Sequence, residues 1–253
     1  MSFDVPALVY DRFMGPYSSQ LARQMADLAR LGRDGHALDV GCGTGALTTE
    51  LVRRLGAKRA AAVDPSPAFT EAVAARVPGV EVEVASAEAL PFPAASFDAS
   101  LAQLVVHFMR DPVTGIAEMA RVVRPGGSVT ACVWDHAGGT SPLGRFWTAA
   151  GELDRDVVDE SHLPGVREGH LEELFEAAGV RDVTGAVLRV EVRYPTLEAW
   201  WDPMLAGVGP AGALVASLDE DARRRLKQRC AELYGPAPVV IGGRAWAARG
   251  VAG

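Results

Sequence analysis

The chain has 253 residues, of which 49% are hydrophobic and 23% charged, a composition typical of a globular protein with a sizeable core. Its formal net charge of −7 argues against a nucleic-acid partner, because binding to phosphates depends on basic side chains. Three scattered cysteines indicate a reducing compartment. The first residues lack the apolar run of a signal peptide, and no uncharged stretch could span a bilayer. We therefore expect a cytoplasmic protein without membrane insertion.

The first half of the chain alternates short apolar segments with helical patterns. The pattern predicts strands over residues 37–40, 60–63, 81–84, 99–105 and 128–134, and helices over 46–55, 68–76 and 116–123. Such alternation is typical of right-handed βαβ units. We expect a doubly wound, mostly parallel, seven-stranded α/β sheet of the Rossmann-like kind, with helices on both faces. Ligands of such sheets bind at the carboxyl ends of the strands.

The second half carries longer loops and fewer regular patterns. Its predicted helices are residues 146–153, 170–178, 196–205 and 219–233, and its predicted strands are 183–192 and 239–248. Pro210 and Gly212 indicate a connection between the last two helices. We expect the final strand to be antiparallel to the rest of the sheet.

A glycine-rich loop joins the first strand to the first helix. The stretch reads Leu38-Asp39-Val40-Gly41-Cys42-Gly43-Thr44-Gly45. Glycines in this place allow a tight turn and a close approach of the backbone to a ligand, and the helix end that follows favours negative charge. Gly41, Gly43 and Ala46 also fit the G-x-G-x-x-G/A pattern of dinucleotide-binding proteins, so the glycines alone leave a nicotinamide cofactor open.

Two acidic residues follow the first two strands. Asp39 ends the first strand, where a buried carboxylate needs a partner that a ligand ammonium would provide. Asp64 ends the second strand, where an acid accepts hydrogen bonds from ribose hydroxyls. The alternative for Asp64 is a simple turn residue before Pro65.

These residues resemble motif I of the class I S-adenosylmethionine-dependent methyltransferases. The resemblance continues, in the family's order, through residues 63–66, 87–93, 96–98 and 121–127. The chain is most similar to the branch that includes the ubiquinone and menaquinone biosynthesis methyltransferases. Tyr10-Asp11-Arg12 and Tyr17-Ser18 resemble the approach segment of that branch.

The resemblance implies S-adenosylmethionine as the cofactor, S-adenosylhomocysteine as the product, no metal ion and a small-molecule acceptor. It implies that these residues contact the cofactor: Tyr10, Tyr17, Asp39, Gly41, Cys42, Gly43, Asp64, Pro65, Ser66, Ser86, Ala87, Glu88 and Gln103. Asp39 would lie near the ammonium group, Asp64 at the ribose and Gln103 at the methionine end. Ser86 stands where the family usually has an aspartate that binds the adenine amino group. We therefore expect weaker adenine binding, or binding shared with Glu88.

Two histidines and two tryptophans are candidates for the acceptor side. His107 and His136 follow the fourth and fifth strands, where an unprotonated imidazole could act as a general base; the alternative is packing or capping. Trp200 and Trp201 indicate either a core helix or a lid over the acceptor pocket. We interpret residues 1–253 as one methyltransferase domain. Its cofactor-binding core is predicted at 36–134, and cap elements that form the acceptor pocket at 1–35, 135–166 and 194–234.

Three other functions stay open at this point. A nicotinamide-dependent oxidoreductase fits the sheet but gives no account of the later motifs. A methyltransferase of protein or nucleic acid is disfavoured by the acidic charge. A protein that keeps the fold but transfers no methyl group is also open, because function belongs to a site and not to a fold. The acceptor atom is an oxygen, nitrogen or carbon, in a phenol, a quinone or a secondary-metabolite intermediate. The sequence does not predict the oligomeric state.

Overall fold

A computed structural model describes residues 7–253, which surround a seven-stranded sheet of order β3-β2-β1-β4-β5-β7-β6. The strands are β1 (Ala37–Val40), β2 (Ala60–Asp64), β3 (Glu81–Val84), β4 (Phe97–Gln103), β5 (Val123–Trp134), β6 (Arg181–Tyr194) and β7 (Val239–Val251). Strands β1 to β5 pair in parallel, whereas β7 pairs antiparallel with both β5 and β6. The predicted α/β fold, mostly parallel with a final antiparallel strand, is confirmed.

Ten α-helices accompany the sheet within residues 7–253. They are α1 (Ala7–Phe13), α2 (Gly15–Leu28), α3 (Ala46–Leu55), α4 (Pro67–Arg76), α5 (Pro112–Arg121), α6 (Gly144–Leu153), α7 (His170–Ala177), α8 (Leu197–Trp201), α9 (Gly209–Ser217) and α10 (Glu220–Tyr234). None of these helices has the length and apolar content that crossing a bilayer requires. Residues 1–6 of the predicted N-terminal cap element lie outside the described part of the chain.

Each face of the sheet carries its own hydrophobic core. Helices α2 and α3 pack over one face, against alternate strand residues such as Ala37 and Leu101. Helices α5 and α7 pack over the other face, against residues such as Leu38 and Val40. Successive strand residues point to opposite faces, so a strand buried on both sides is apolar throughout. This explains why β1 and β2 are apolar except for the buried acids Asp39 and Asp64.

The fourth strand ends earlier than its sequence indicates. Leu104 and Val105 were expected inside the strand, but β4 stops at Gln103 and Leu104 has a φ of +62°. A short 3₁₀ turn, Val106–Phe108, follows. The run Leu104–Val106 is apolar because this turn is buried and not because it is a strand, a distinction that an apolar pattern alone does not make.

The fifth strand and the helix before it also differ from the prediction. Helix α5 begins at Pro112, after Asp111 accepts a hydrogen bond from the Thr114 backbone N–H (3.1 Å), and it ends at Arg121. The expected helix at 116–123 was therefore placed too late. Strand β5 begins at Val123 and not at residue 128, because residues 124–127 bulge out between two paired registers.

Two departures lie in the last third of the chain. The expected connection at Pro210 and Gly212 is the helix α9, which accepts the proline in its first turn, where no hydrogen bond from its nitrogen is needed. The single helix expected over 196–205 breaks into α8 and a 3₁₀ segment, Asp202–Ala206, that carries a proline in its first turn.

Candidate functional site

A cleft of about 1000 Å³ opens at the carboxyl ends of β1, β2 and β4. Its lining comprises Tyr10, Gly41, Gly43, Asp64, Pro65, Ser66, Pro67, Phe69, Ser86, Ala87, Glu88, Gln103, Leu104, Val105, His107, Phe108, Met109, Arg110, Asp111 and Thr114. A smaller recess shares part of this lining and adds Asp39 and Cys42. This is the edge where open α/β sheets bind ligands, and the volume suits a nucleoside-sized molecule.

The glycine loop forms the floor of the cleft through two unusual backbone conformations. Gly41 has a φ of +71°, and a Cβ there would stand 2.5 Å from Val105. Gly43 has a φ of +51°, and a Cβ there would meet no atom within 4 Å. The Gly41 and Cys42 N–H groups both donate hydrogen bonds to the Val63 carbonyl, at 2.8 and 2.9 Å, and these bonds fix the loop to β2. Gly41 is therefore required by packing, whereas Gly43 leaves open space for a ligand.

Asp39 is a buried acid with an unused oxygen beside the recess. Its side chain is 1% exposed, and its Oδ2 accepts a hydrogen bond from the Thr48 hydroxyl at 2.6 Å. Its Oδ1 has no hydrogen-bond partner within residues 7–253. Burial raises the pKa of Asp39 to about 7, the Thr48 hydrogen bond lowers it, and the charge of Asp64 raises it further. A cation placed at Oδ1 would therefore find a carboxylate ready to pair with it.

Asp64 both lines the cleft and holds the glycine loop. Its Oδ2 accepts a hydrogen bond from the Gly43 N–H, and its Oδ1 accepts one from the Ser66 N–H, each at 2.9 Å. Burial raises the pKa of Asp64, and these two backbone hydrogen bonds counteract the rise. A carboxylate offers about four lone-pair positions, so two remain for a ligand in the cleft.

The far side of the cleft is organised by Glu88. Its Oε1 accepts hydrogen bonds from the Arg110 and Asp111 N–H groups, at 2.8 and 3.3 Å. Burial raises the pKa of Glu88, but hydrogen bonds from its own backbone, from these two residues and from Ser86 outweigh burial and lower it. Glu88 thus fixes the loop after β4, and the exposed Ser86 stands next to it at the rim.

Tyr10 and Gln103 close the two remaining sides. The Tyr10 ring packs against Phe69, with a centroid distance of 5.5 Å, and burial raises its pKa to about 12. The Gln103 amide nitrogen donates to the Ser18 carbonyl at 3.1 Å, while its Oε1 is buried without a partner within the described residues. Gln103 therefore ties helix α2 to the end of β4 and keeps an acceptor available at the cleft.

His107 lines the cleft, and His136 is packed against it. The two imidazole centroids are 5.9 Å apart, and both side chains are buried. Burial lowers the pKa of His107 well below its usual value, with a further contribution from His136. Burial also lowers the pKa of His136 to about 4, although Asp159 and Asp135 counteract it. Both rings are neutral at neutral pH, and the general-base role expected for them stays a prediction.

Four predicted candidates do not reach the cleft. His136 is absent from its lining. Tyr17 is 1% exposed, packs edge-on to Trp134, and accepts a hydrogen bond from the Tyr194 hydroxyl at 3.0 Å. Trp200 and Trp201 lie in the hydrophobic core and line neither the cleft nor the recess. Of the two interpretations for the tryptophans, the geometry favours core packing.

Sequence reasoning missed the cleft wall made by the turn after β4. This wall comprises Leu104, Val105, Phe108, Met109, Arg110, Asp111 and Thr114. Its signal was present in the Asp111-Pro112 pair, which marks a helix start and so places the preceding residues in a loop at the ligand edge. The expectation of a longer strand hid this loop.

Part of this chain is similar in sequence to known methyltransferases. Residues 38–131 match the family model described as a methyltransferase domain. The malonyl-(acyl-carrier protein) O-methyltransferase of Hahella chejuensis is 36% identical over 128 residues, which are 50% of this chain and 46% of the relative. The chloroplastic 2-methyl-6-phytyl-1,4-hydroquinone methyltransferase 2 of Oryza sativa subsp. japonica is 31% identical over 182 residues, 70% of this chain and 49% of the relative. The chain thus spans about half the length of both relatives.

The fold is shared with solved structures at low sequence identity. The YcgJ protein from Bacillus subtilis superposes with a TM-score of 0.61 and 18% identity, covering 93% of this chain and 97% of that protein. The matched family residues include the glycine loop, Asp39, Asp64 and Gln103. The match to a methyltransferase domain therefore includes most of the residues that line the cleft.

Proposed function

We propose that the protein binds S-adenosylmethionine in the cleft and transfers its methyl group to a small-molecule acceptor. The observation that carries this proposal is the pair of buried carboxylates, Asp39 in the recess and Asp64 in the cleft, because the recess and the cleft share the glycine loop as part of their lining. Asp39 offers an unpaired oxygen for the ammonium of the methionine part, and Asp64 offers free lone pairs for the ribose hydroxyls.

The remaining cofactor contacts follow from this placement. Cys42 and Gln103 share the recess with Asp39, so they would face the methionine end. Pro65, Ser66, Ser86, Ala87 and Glu88 line the opposite side of the cleft, which leaves the adenine there. Because Glu88 is engaged in holding the loop after β4, we propose that the adenine is bound mainly by packing and by backbone groups.

The reaction is an in-line displacement at the sulfonium methyl. The bond between sulfur and the methyl carbon breaks as the acceptor atom forms its bond to that carbon, and the electron pair stays on sulfur. The protein contributes chiefly by aligning the three atoms and by excluding water. His107 lies in the turn that follows β4 and its buried side chain lines the cleft, so we place the acceptor beside it.

We propose a phenol or quinol as the acceptor class. Support comes from the rice relative, which is named for a hydroquinone and matches 70% of this chain. The Hahella chejuensis relative is named for malonyl-(acyl-carrier protein), so a malonyl group is the second candidate. Of the two, only the phenol or quinol is a small-molecule acceptor of the kind that the sequence predicts.

The test combines binding with product mass. Calorimetry should show binding of S-adenosylhomocysteine and S-adenosylmethionine, and no comparable binding of NAD or NADP. Incubation with S-adenosylmethionine and a panel of phenols, quinols and malonyl thioesters should give a product heavier by one methylene unit. The Asp64→Asn variant serves as the control for background methylation. Binding of a nicotinamide cofactor in place of S-adenosylhomocysteine would overturn the proposal. Tight cofactor binding without product from any panel member would favour a fold that transfers no methyl group.

A further inference from the structure

His107, His136 and Glu160 meet in one buried cluster next to the cleft. His107 lies in the turn after β4, His136 directly follows β5, and Glu160 lies in the connection between α6 and α7. One nitrogen of each imidazole and one carboxylate oxygen lie within 4.8 Å of one another. The two histidines come together because neighbouring parallel strands end at the same edge of the sheet.

The polar atoms of this cluster are largely unpaired. His107 Nδ1 and both nitrogens of His136 have no hydrogen-bond partner within residues 7–253. The distance from His136 Nε2 to Glu160 Oε1 is 3.8 Å, too long for a hydrogen bond. A buried polar group without a partner lowers the stability of the folded protein. Each neutral imidazole carries one lone pair, so an occupant that binds a lone pair from each ring would satisfy both histidines.

We propose that His107, His136 and Glu160 bind a divalent transition-metal ion, for which Zn²⁺ is the probe. Two imidazole nitrogens and one carboxylate oxygen are a ligand set of protein sites for zinc and non-haem iron, and they leave a coordination position open. The set contains no thiolate, and the three cysteines of the chain lie elsewhere.

The surroundings of the cluster suit a cation. The Trp147 indole N–H donates to Glu160 Oε2 at 3.1 Å, which orients the carboxylate and leaves Oε1 turned towards His136. Asp135 and Asp159 lie close enough to favour positive charge at His136. Asp135 also faces Arg244, whose Nε is 3.7 Å from its Oδ2, so this arginine offsets part of the negative field.

The site adjoins the proposed acceptor position, because His107 belongs both to the cluster and to the lining of the cleft. An ion with an open coordination position would bind an acceptor oxygen and lower its pKa, so that the hydroxyl proton passes to solvent before methyl transfer. This role rests on the proposed methyl transfer, whereas metal binding itself does not. The sequence-based expectation of a protein without a metal ion would then be wrong.

The experiment measures metal binding directly, on untagged protein that has been treated with a chelator and dialysed. Competition with a chromophoric chelator should show one Zn²⁺ bound per chain. His107→Ala, His136→Ala and Glu160→Gln should each weaken binding by at least ~100-fold, and Trp147→Phe by about tenfold through the orientation of Glu160. His36→Ala is the matched control, because this histidine is exposed and remote from the cluster, and it should bind Zn²⁺ like the unaltered protein.

A second measurement keeps the proposal testable if the variants do not fold. Co²⁺ added to the unaltered protein should give visible absorption bands of a site with nitrogen and oxygen ligands, and Zn²⁺ should remove them. S-adenosylhomocysteine titrations of the same samples report on the cofactor cleft separately, so a failure of the metal site and a failure of the proposed function give different results. The proposal is overturned if the unaltered protein does not bind one Zn²⁺ per chain. That result is expected if a water molecule or a shared proton, and not a metal ion, links the three side chains. The proposal is equally overturned if folded variants of all three ligands keep the affinity.

Discussion

The cleft and the aromatic core both contain side chains that the sequence indicated as functional, yet they differ in how their polar atoms are used. The aromatic core comprises Tyr17, Trp134, Phe146, Trp200 and Trp201, all buried. Its rings pack on each other, with centroid distances of 6.3 Å between Tyr17 and Trp134 and 6.4 Å between Phe146 and Trp201. The Tyr17 hydroxyl has its partner in Tyr194.

In the cleft, by contrast, buried acceptors are left unpaired. Asp39 Oδ1 and Gln103 Oε1 have no partner within the described chain, and open space lies in front of Gly43. Large aromatic side chains stabilise a fold through the area they bury, whereas an unpaired buried polar atom lowers stability and, where it faces a cleft, is available to a ligand. The comparison teaches that unpaired polar atoms locate this site better than aromatic residues do.

The largest expected effect tests the aromatic core. Trp201→Ala should lower the free energy of unfolding by about 3–5 kcal/mol, because Trp201 is 2% exposed and its removal leaves a cavity. The affinity of the folded protein for S-adenosylhomocysteine should not change. Leu205→Ala, in the same segment but exposed, should change stability by less than about 0.5 kcal/mol. Thermal and denaturant melts beside cofactor titrations measure both quantities. A stable Trp201 variant with lost turnover would make this residue a lid.

The second effect tests the open side of the glycine loop. Gly43→Val should weaken S-adenosylhomocysteine binding by more than about 100-fold, since the side chain would occupy the ligand's space. Gly126→Val is the matched control, because Gly126 also has a positive φ (+84°) and open space around it, but lies far from the cleft. Both variants should lose stability through backbone strain. Calorimetry that shows equal affinities for the two variants would contradict the placement of the loop.

The third effect tests Asp64. Asp64→Asn should weaken cofactor binding by about 1.5–3 kcal/mol through loss of a charged hydrogen-bond acceptor. The amide keeps one oxygen for the backbone, so the glycine loop should survive better than in Asp64→Ala, which removes the acceptors of both the Gly43 and Ser66 N–H groups. Circular dichroism and calorimetry on the two variants separate the binding role from the anchoring role. Unchanged affinity in Asp64→Asn would exclude the ribose contact.

The smallest effect is a pH dependence that belongs to Asp39. Because burial raises its pKa to about 7, only the small ionised fraction at pH 5.5 can pair with a ligand ammonium. Affinity for S-adenosylmethionine should therefore rise by about tenfold from pH 5.5 to 7 and then level off. The pKa of Asp39 is higher in the folded protein than in the unfolded chain. The ligand-free protein therefore loses stability as the pH rises from the pKa of the unfolded state to about 7.

Asp39→Asn is the control for this pH dependence. It removes the ionisation at this position but leaves an oxygen for the Thr48 hydroxyl and the charge of Asp64 unchanged. The affinity of this variant for S-adenosylmethionine should be nearly constant between pH 5.5 and 7. Above pH 7 its affinity should be lower than that of the unaltered protein. If the unaltered protein and Asp39→Asn show the same pH profile, another group titrates and the proposed ammonium contact is wrong.

The sequence by itself determined the order of strands and helices in the first half of the chain and the position of the glycine loop. These features depend on local patterns: the mostly apolar residues of β1 and β2, glycines at positive φ, and an acid at or next to the end of each of the two strands. The match of residues 38–131 to the methyltransferase domain follows from the same motifs. Local signals also misplaced the end of β4 and the start of β5. After β4, a buried turn has the apolar pattern of a strand. Near its start, β5 is interrupted by a bulge.

Only the tertiary structure decided which candidates share a site. Tyr17, Trp200 and Trp201 look alike in sequence whether they cover a ligand or fill a core, because both roles require large apolar surfaces. Glu160 carries no local signal, and it reaches His107 and His136 through contacts between segments far apart along the chain. Such long-range contacts depend on how the connections pack against the sheet, which no pattern of neighbouring residues encodes.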